Sequence, residues 1–267
     1  MHIQNKTFVV TGAGGGIGGE IVLELLKRGG KVIALDLREE GLKTIQQRAN
    51  QHSEVLRAQT LDITERTAVE RFVAQLAADN TGIDGLINCA GIIQPFEKVE
   101  NLEIEAMERV MNVNFWGTVY ITKAVLPELL KRNESHIVNV SSMGGFLPVP
   151  GQSVYGASKA AVKLMTEGLY AELLDTPVRV SVAFPGATET DITKNSDVAF
   201  PTGANSEASS YKMLSAGESA RIIVDGIEKN KLYIYTGSDS KAMSLLYRLH
   251  PGFATRFIAK KMKSLLG

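Results

Sequence analysis

The chain holds a single cysteine, Cys89, in 267 residues. No internal disulfide can form, so the fold must rest on its core, and a reducing setting is expected. Charge of one sign is also missing. Lysine plus arginine number 29 and aspartate plus glutamate number 29, for a formal net charge of zero. That balance gives no reason to expect a nucleic-acid partner. No uninterrupted apolar run is long enough to cross a bilayer. The opening MHIQNKTFVV lacks the basic and then apolar pattern of a signal peptide. The expected location is therefore cytoplasmic. Four histidines, His2, His52, His136 and His250, stand in no catalytic context, and there is no G-x-S-x-G elbow. A serine hydrolase is thereby disfavoured. No cluster of histidine, cysteine and carboxylates has ligand spacing, so no metal site is expected.

What is present is alternation. Short β-branched runs at Thr7–Val10, Lys31–Leu35, Glu54–Leu61, Gly85–Asn88, Ser135–Val140, Val178–Ala183 and Leu232–Tyr235 read as strands. Between them lie helical patterns: one ending at Gly29-Gly30, then about Leu42–Ala49, Glu65–Ala78, a long one at Ile104–Leu130, Tyr155–Leu174 and Ser219–Lys229. Strand and helix in turn imply right-handed crossovers and a parallel sheet covered on both faces. The expected fold is α/β, a single Rossmann-type, doubly wound domain over residues 1–240, with a helical tail at 241–267. In such a sheet the ligand sits at the carboxyl ends of the strands. The loop from Ala187 to Gly217 is long enough to be a lid or binding loop.

Between the first strand and first helix stands Thr11-Gly-Ala-Gly-Gly-Gly-Ile-Gly18. Glycines there permit a sharp turn and close approach to a pyrophosphate, and the helix start offers unpaired N–H groups. The spacing is ambiguous. Gly14, Gly16 and Gly19 match G-x-G-x-x-G but start late, whereas Gly12, Gly16 and Gly18 start directly after the strand. A plain flexible turn is the bland alternative. Asp36 at the end of the next strand argues against it, because an acid at that distance suits ribose hydroxyls. A carboxylate would repel a 2′-phosphate, so the expected cofactor is NAD, with NADP as the alternative through Arg38.

Tyr155 and Lys159 lie four residues apart at a helix start, which puts them on one face. A cation near a phenol favours the phenolate, so Tyr155 can act as general acid or base with its pKa lowered. Such pairs also occur on ordinary helix surfaces. The companions are Ser142, thirteen residues earlier at a strand end, and Asn114 in Met-Asn-Val-Asn. Ser141 competes with Ser142, but only one of two adjacent strand residues can face the pocket.

With these residues in order, the chain resembles the short-chain dehydrogenase/reductase family from Thr11 to about Asp191. The shared features are Thr11–Gly18, Asp62, Asn88–Gly91, Asn114, Ser142, Tyr155, Lys159 and Pro185-Gly186. The resemblance implies an oxidoreductase that moves a hydride between a nicotinamide cofactor and an alcohol or ketone. Ser142 would hold the substrate oxygen, Tyr155 exchange its proton, and Lys159 hold the nicotinamide ribose and lower the tyrosine pKa. Asn114 would fix a water. Gly12, Gly14, Gly16, Ile17 and Gly18 would cradle the phosphates. Asp62 and Ile63 would touch adenine, and the backbone of Asn88, Cys89, Ala90 and Gly91 would line the adenosine side. Pro185, Gly186, Thr188 and Thr190 would wrap the nicotinamide amide. Cys89 departs from the asparagine often found there. A sugar-nucleotide epimerase or dehydratase would need a longer C-terminal domain, and a non-catalytic NAD-binding regulator usually lacks the tyrosine or lysine.

The segment Met143–Ser153 is apolar and the residues Ile92–Phe96 follow the fourth strand, so a neutral, hydrophobic substrate is expected. The tail interleaves Leu245, Leu246, Leu249, Phe253 and Phe257 with Lys241, Arg248, Arg256, Lys260 and Lys261. Pro251-Gly252 should break it into two short helices. Packing on the body or on a partner subunit is the favoured reading, and a helix on a membrane surface the other. The resemblance also implies a homodimer or homotetramer.

Overall fold

A computed structural model describes residues 1–190, 192–196, 198 and 213–262. The elements in chain order begin with β1 (Thr7–Thr11), α1 (Gly16–Lys27), β2 (Lys31–Asp36), α2 (Glu39–Ala49), β3 (Leu56–Thr60), α3 (Arg66–Ala78) and β4 (Gly85–Asn88). They continue with α4 (Ile104–Met111), α5 (Thr118–Leu130), β5 (Ser135–Val140), α6 (Ser153–Glu172) and β6 (Val178–Pro185). After these come β7 (Thr188–Glu189), α7 (Ile192–Asn195), β8 (Leu214–Ser215), α8 (Ala216–Glu228), β9 (Tyr233–Thr236), α9 (Ser238–Leu249) and α10 (Pro251–Lys261).

Seven strands form one parallel sheet in the order β3-β2-β1-β4-β5-β6-β9. The expected doubly wound α/β fold is what the chain adopts. Successive residues of β1 point to opposite faces, as strand geometry requires. Phe8 and Val10 join one core with Ile21, Leu25, Ile223 and Ile227, beneath α1 and α8. Val9 joins the other with Val69, Leu76, Ile121 and Val125, beneath α3 and α5. Order reverses between β1 and β4, where crossovers leave to opposite faces. The carboxyl ends of these two strands therefore flank an open crevice.

The structure departs from expectation in four places. Strand β3 starts at Leu56, because residues Asn50–Val55 form a 3-10 turn with Asn50 at φ 34°. The long helix expected over Ile104–Leu130 is broken by a π-helical turn at Asn112–Gly117. Helix α8 starts earlier than its apolar pattern, at a reciprocal cap. The Ser215 hydroxyl accepts from the Glu218 N–H, and Glu218 accepts from the Ser215 N–H. Finally, β7 and β8 pair as a small second sheet at the base of the loop after β6. Most of that loop's expected lid lies outside the described residues, as do Lys263 to Gly267.

The tail is helical, with the break at His250–Pro251 where proline takes the first turn of α10. No helix among the described residues is long and apolar enough to cross a membrane.

His136 on β5 is 1% exposed. Its Nε2 lies 2.8 Å from the Ser181 hydroxyl, which itself donates to the Lys231 carbonyl at 2.6 Å. Ser181 must therefore accept from Nε2–H, which leaves Nδ1 as a bare lone pair without a partner among the described residues. Burial lowers the imidazole pKa from 6.5 to about 3. Between those values the unfolded chain binds a proton that the folded chain refuses, so stability falls as pH falls through that window. Urea unfolding at a series of pH values checks this. The expected outcome is a shallower acid-side loss for His136→Gln than for the parent chain; equal slopes would count against it.

Candidate active site

The glycine turn after β1 is shaped by two close approaches. Gly12 takes φ +67°, and a side chain there would sit 2.7 Å from the Ala90 backbone. Gly16 takes φ +56°, again a region that glycine alone adopts freely. A side chain on Gly18 would run into the Gly12 carbonyl. The ambiguous spacing thus resolves toward Gly12, Gly16 and Gly18. Helix α1 starts beside this turn with no side-chain cap and no acid in its first turn. Its free N–H groups and positive dipole end face the cleft, a setting that accepts phosphate.

Asp36 closes the far side of the turn. One carboxylate oxygen accepts from the Gly14 N–H at 2.8 Å and the other from the Arg38 N–H at 2.9 Å. Each oxygen keeps spare acceptor capacity. The Arg38 guanidinium stands 3.8 Å from Asp36 and reaches on to Asn195. The Thr11 hydroxyl ties β1 to β4 by accepting from the Cys89 and Ala90 N–H groups, at 3.1 and 3.2 Å.

The second half of the site comes from β5, α6 and the π turn. Ser142 caps a 3-10 turn at Met143–Gly145 by accepting from the Gly144 N–H at 3.0 Å, and its hydroxyl hydrogen-bonds the Tyr155 phenol. Ser141 points the other way and donates to the Lys159 carbonyl at 2.8 Å. Lys159 is 4% exposed, and its ammonium donates to the Val140 carbonyl at 3.1 Å. Asn114 receives the Ile92 N–H and donates to the Ile92 carbonyl and the Ser158 hydroxyl, each at 2.9 Å. The π turn leaves the Asn114 carbonyl to the Thr118 hydroxyl, at 2.8 Å. A side chain on Gly91 would meet both Lys159 Nζ and Asn114 Oδ1, so these groups converge across one glycine.

Burial dominates the electrostatics. It lowers the Lys159 pKa from 10.5 to about 8 and raises that of Cys89 to about 12. The Tyr155 phenol is also raised, because burial outweighs its hydrogen bond to Ser142. That is the reverse of the direction expected from Lys159, and it reflects a desolvated pair in which the ammonium itself is weakened.

A cleft of about 360 Å³ collects most residues singled out from the sequence. Gly12, Gly16, Ile17, Gly18, Asp36, Asp62, Ile63, Cys89, Ala90, Gly91, Ser142, Tyr155, Lys159, Pro185, Gly186, Thr188 and Thr190 all line it. Three do not. Gly14 turns its N–H to Asp36, Asn114 lies behind Gly91, and the Asn88 amide turns into the fold to donate to Thr122 and Asn139. The apolar segment Met143–Ser153 mostly lines a separate cavity of about 630 Å³ against α9. Arg109 and Val113, from α4 and the π turn, line the cleft although sequence analysis passed over them.

Gln94 lies within the segment Ile92–Phe96 expected to shape the substrate pocket, and it is fully buried. The Gln94 side-chain oxygen accepts from the Val154 and Tyr155 N–H groups at 2.8 and 2.9 Å, and its amide donates to the Gly151 carbonyl at 3.0 Å. Gln152 donates back to the Gln94 carbonyl at 2.9 Å. Helix α6 has no side-chain cap of its own. A residue from the loop after β4 supplies one instead, at the turn that carries Tyr155.

Comparisons with known proteins bear on the family and the fold. A family model described as short chain dehydrogenase matches residues 6–199. A Mycobacterium tuberculosis protein named as an oxidoreductase, SadH, is 33% identical over 262 residues, covering 96% of this chain and 95% of that one. Among solved structures, a short chain dehydrogenase from Burkholderia cenocepacia in complex with NADP is 27% identical, with a TM-score of 0.81 over 97% of this chain and 99% of that one. A short chain dehydrogenase/reductase from Burkholderia phymatum in complex with NAD shares the fold, with 24% identity and a TM-score of 0.84 over 95% and 96%.

Gln94→Leu should uncover two helix N–H groups and one carbonyl in a buried loop. At about 1–3 kcal/mol for each buried group left unpaired, the loss should be large. A thermal melt should show Tm lower by roughly 10 °C or more. An unchanged Tm would mean that the clasp does not hold α6.

Proposed function

Because this chain belongs to the short chain dehydrogenase family, whose members are oxidoreductases acting on CH–OH groups, we propose that it interconverts a hydrophobic ketone and secondary alcohol with NAD(H), using Tyr155 as the proton donor and acceptor. The observation that carries the reading is the convergence of Ser142, Tyr155 and Lys159 on one cleft with an uncapped helix start and Asp36. The residues present fit the cofactor. A side chain would clash at Gly12, Gly14 and Gly18 of the glycine turn, and the first turn of α1 carries no acid to repel phosphate. Gly12 to Gly18 would hold the pyrophosphate, Asp36 the adenosine ribose, Asp62 and Ile63 the adenine, and Pro185 to Thr190 the nicotinamide end. When bound, the nicotinamide supplies or accepts the hydride at the substrate carbon.

The protein groups manage the oxygen. Ser142, fixed by the Gly144 N–H, and Tyr155 both donate to the carbonyl oxygen. Tyr155 then passes its proton to that oxygen as negative charge develops there. A phenol held above its usual pKa stays protonated at neutral pH, which favours the reducing direction. Lys159, while charged, stabilises the phenolate left behind. Asn114 holds the Ile92 backbone and Ser158 on the far side of Gly91, keeping the lysine's surroundings fixed. Ile92, Ile93 and Ile192 supply an apolar wall suited to an uncharged substrate.

NAD over NADP rests on Asp36, whose spare lone pairs suit two ribose hydroxyls and whose charge opposes a phosphate. NADP is the second reading, because Arg38 stands beside that carboxylate.

Three outcomes test the proposal. Tyr155→Phe should lower kcat by about 10²–10⁴-fold while NADH binding, read by fluorescence, survives; retained turnover would remove Tyr155 from the chemistry. NADH should bind more tightly than NADPH, and Asp36→Asn, which keeps an acceptor for Gly14, should narrow the gap about tenfold or more, equal to about 1.4 kcal/mol. Tighter NADPH in the parent chain would move the reading to Arg38. The rate of ketone reduction should hold below the Lys159 pKa of about 8 and decline as pH rises through it, since the ammonium is then lost. A rate that climbs through that value would contradict the role given to Lys159.

A further inference from the structure

Helices α9 and α10 turn large apolar residues outward. The residues that α9 buries are Ser240 and Ser244, and the one that α10 buries is Ala254. Ser240 donates to the Phe184 carbonyl at 2.9 Å, Ser244 pairs with the Tyr235 hydroxyl at 3.0 Å, and the Arg248 guanidinium lies over the Tyr233 ring. These contacts hold α9 on the body by small and polar groups, and α10 packs against α9. Four large apolar residues face away, with Leu245 61% exposed, Leu249 64%, Phe253 54% and Phe257 38%, while Met243, Leu246, Tyr247 and Ile258 are half-buried. A surface helix of a water-soluble protein shows the opposite arrangement.

The outward stripes are also basic. On α9, Lys241, Leu245 and Leu249 are exposed at helical spacing, while Arg248 turns back over Tyr233. On α10, Phe253, Arg256, Phe257, Lys260 and Lys261 follow the same rule, with Phe253 and Phe257 stacked at 6.3 Å. The exposed joint His250–Gly252 links the two. From Ser240 onward the chain has six lysines and arginines and no aspartate or glutamate. Among the described residues, no ion pair involves Lys241, Arg256, Lys260 or Lys261.

We infer that α9 and α10 dock the protein onto an anionic lipid surface, with Leu245, Leu249, Phe253 and Phe257 entering the interface and the flanking lysines and arginines meeting lipid phosphates. Interleaved apolar and basic residues on one exposed face are the pattern that lies in a headgroup layer. A second copy of the chain fits poorly. A two-fold interface would set this cationic patch against itself. The inference does not depend on the reaction assigned above.

Cosedimentation of the full chain with vesicles tests it, using phosphatidylcholine alone and phosphatidylcholine with a quarter phosphatidylglycerol at about 0.1 M salt. The chain should pellet with the anionic vesicles and not with the neutral ones. Lys260→Gln with Lys261→Gln should weaken partitioning on the order of 25-fold, about fivefold per charge. Phe253→Ser with Phe257→Ser should weaken it at least tenfold, with circular dichroism and Tm unchanged. No pelleting with anionic vesicles, or variants that bind like the parent, would overturn the inference. So would a particle mass that falls in the Phe253→Ser, Phe257→Ser variant without lipid, because that would assign the face to a second copy.

Discussion

The site depends on one seam. Strand order reverses between β1 and β4, so the helices that follow these strands leave to opposite sides and the sheet's carboxyl edge opens there. A gap between splayed helices would close or fill unless something set its width. Thr11 does this by accepting two N–H groups from Cys89 and Ala90 across the seam. Gly12, left without a side chain, then lies against Ala90. The uncapped start of α1 and Lys159 come to the same cleft because each is placed relative to this junction: α1 follows β1, and Lys159 is reached across Gly91, which follows β4.

Desolvation is the second constraint, and it acts on three buried groups of the cleft in the same sense. It favours the neutral forms of Lys159, Tyr155 and Cys89. For Cys89 this means an inert thiol, since reactivity needs the thiolate. For the tyrosine and lysine it means that the pair is poised by opposition. Below about pH 8 the lysine keeps its charge while the phenol keeps its proton. On the proposed mechanism that is the state ready to donate a proton. The buried hydrogen bonds around it are therefore positional. Asn114, Ser158, Val140 and Ser141 hold the lysine and its neighbours where small displacements would change both acidities.

What could be read from the sequence was what is local. A four-residue Tyr155–Lys159 spacing fixes a shared helix face, and a glycine cluster between strand and helix fixes a turn. Asp36 at a strand end needs no more than the register of β2. The tertiary features stayed hidden. Gln94 sits sixty-odd residues from the helix it caps, so no local pattern marks it. The π turn at Asn112–Gly117 has helical composition. It shows only where Asn114 is held by Ile92 and its carbonyl is taken by Thr118. The resemblance spoke only for the Asn88 backbone; the role of its amide, drawn into a buried chain through Asn139 and Thr166, was not marked by any local pattern. Segment Met143–Ser153 was read as substrate wall from its apolarity, which cannot say which cavity it faces. The Ser215–Glu218 cap was a readable S-x-x-E signal that the apolar periodicity alone overlooked.

The tail shows why net charge is a poor guide to partners. The whole chain is neutral, and that balance gave no reason to expect a strongly charged partner. Yet six basic residues lie in the last stretch without a single acid, so the remainder carries the compensating negative charge. Electrostatic attraction acts over roughly a Debye length, about 8–10 Å at physiological salt. A partner approaching α9 and α10 feels the local cations long before it feels the chain's average. The apolar residues decide what kind of partner that is. Phosphate-bearing polymers reward cations alone, whereas a headgroup layer also rewards leucine and phenylalanine pushed below it. A helix that buries serine and exposes leucine has surrendered hydrophobic burial within its own chain, and a lipid interface is a place where that burial is recovered.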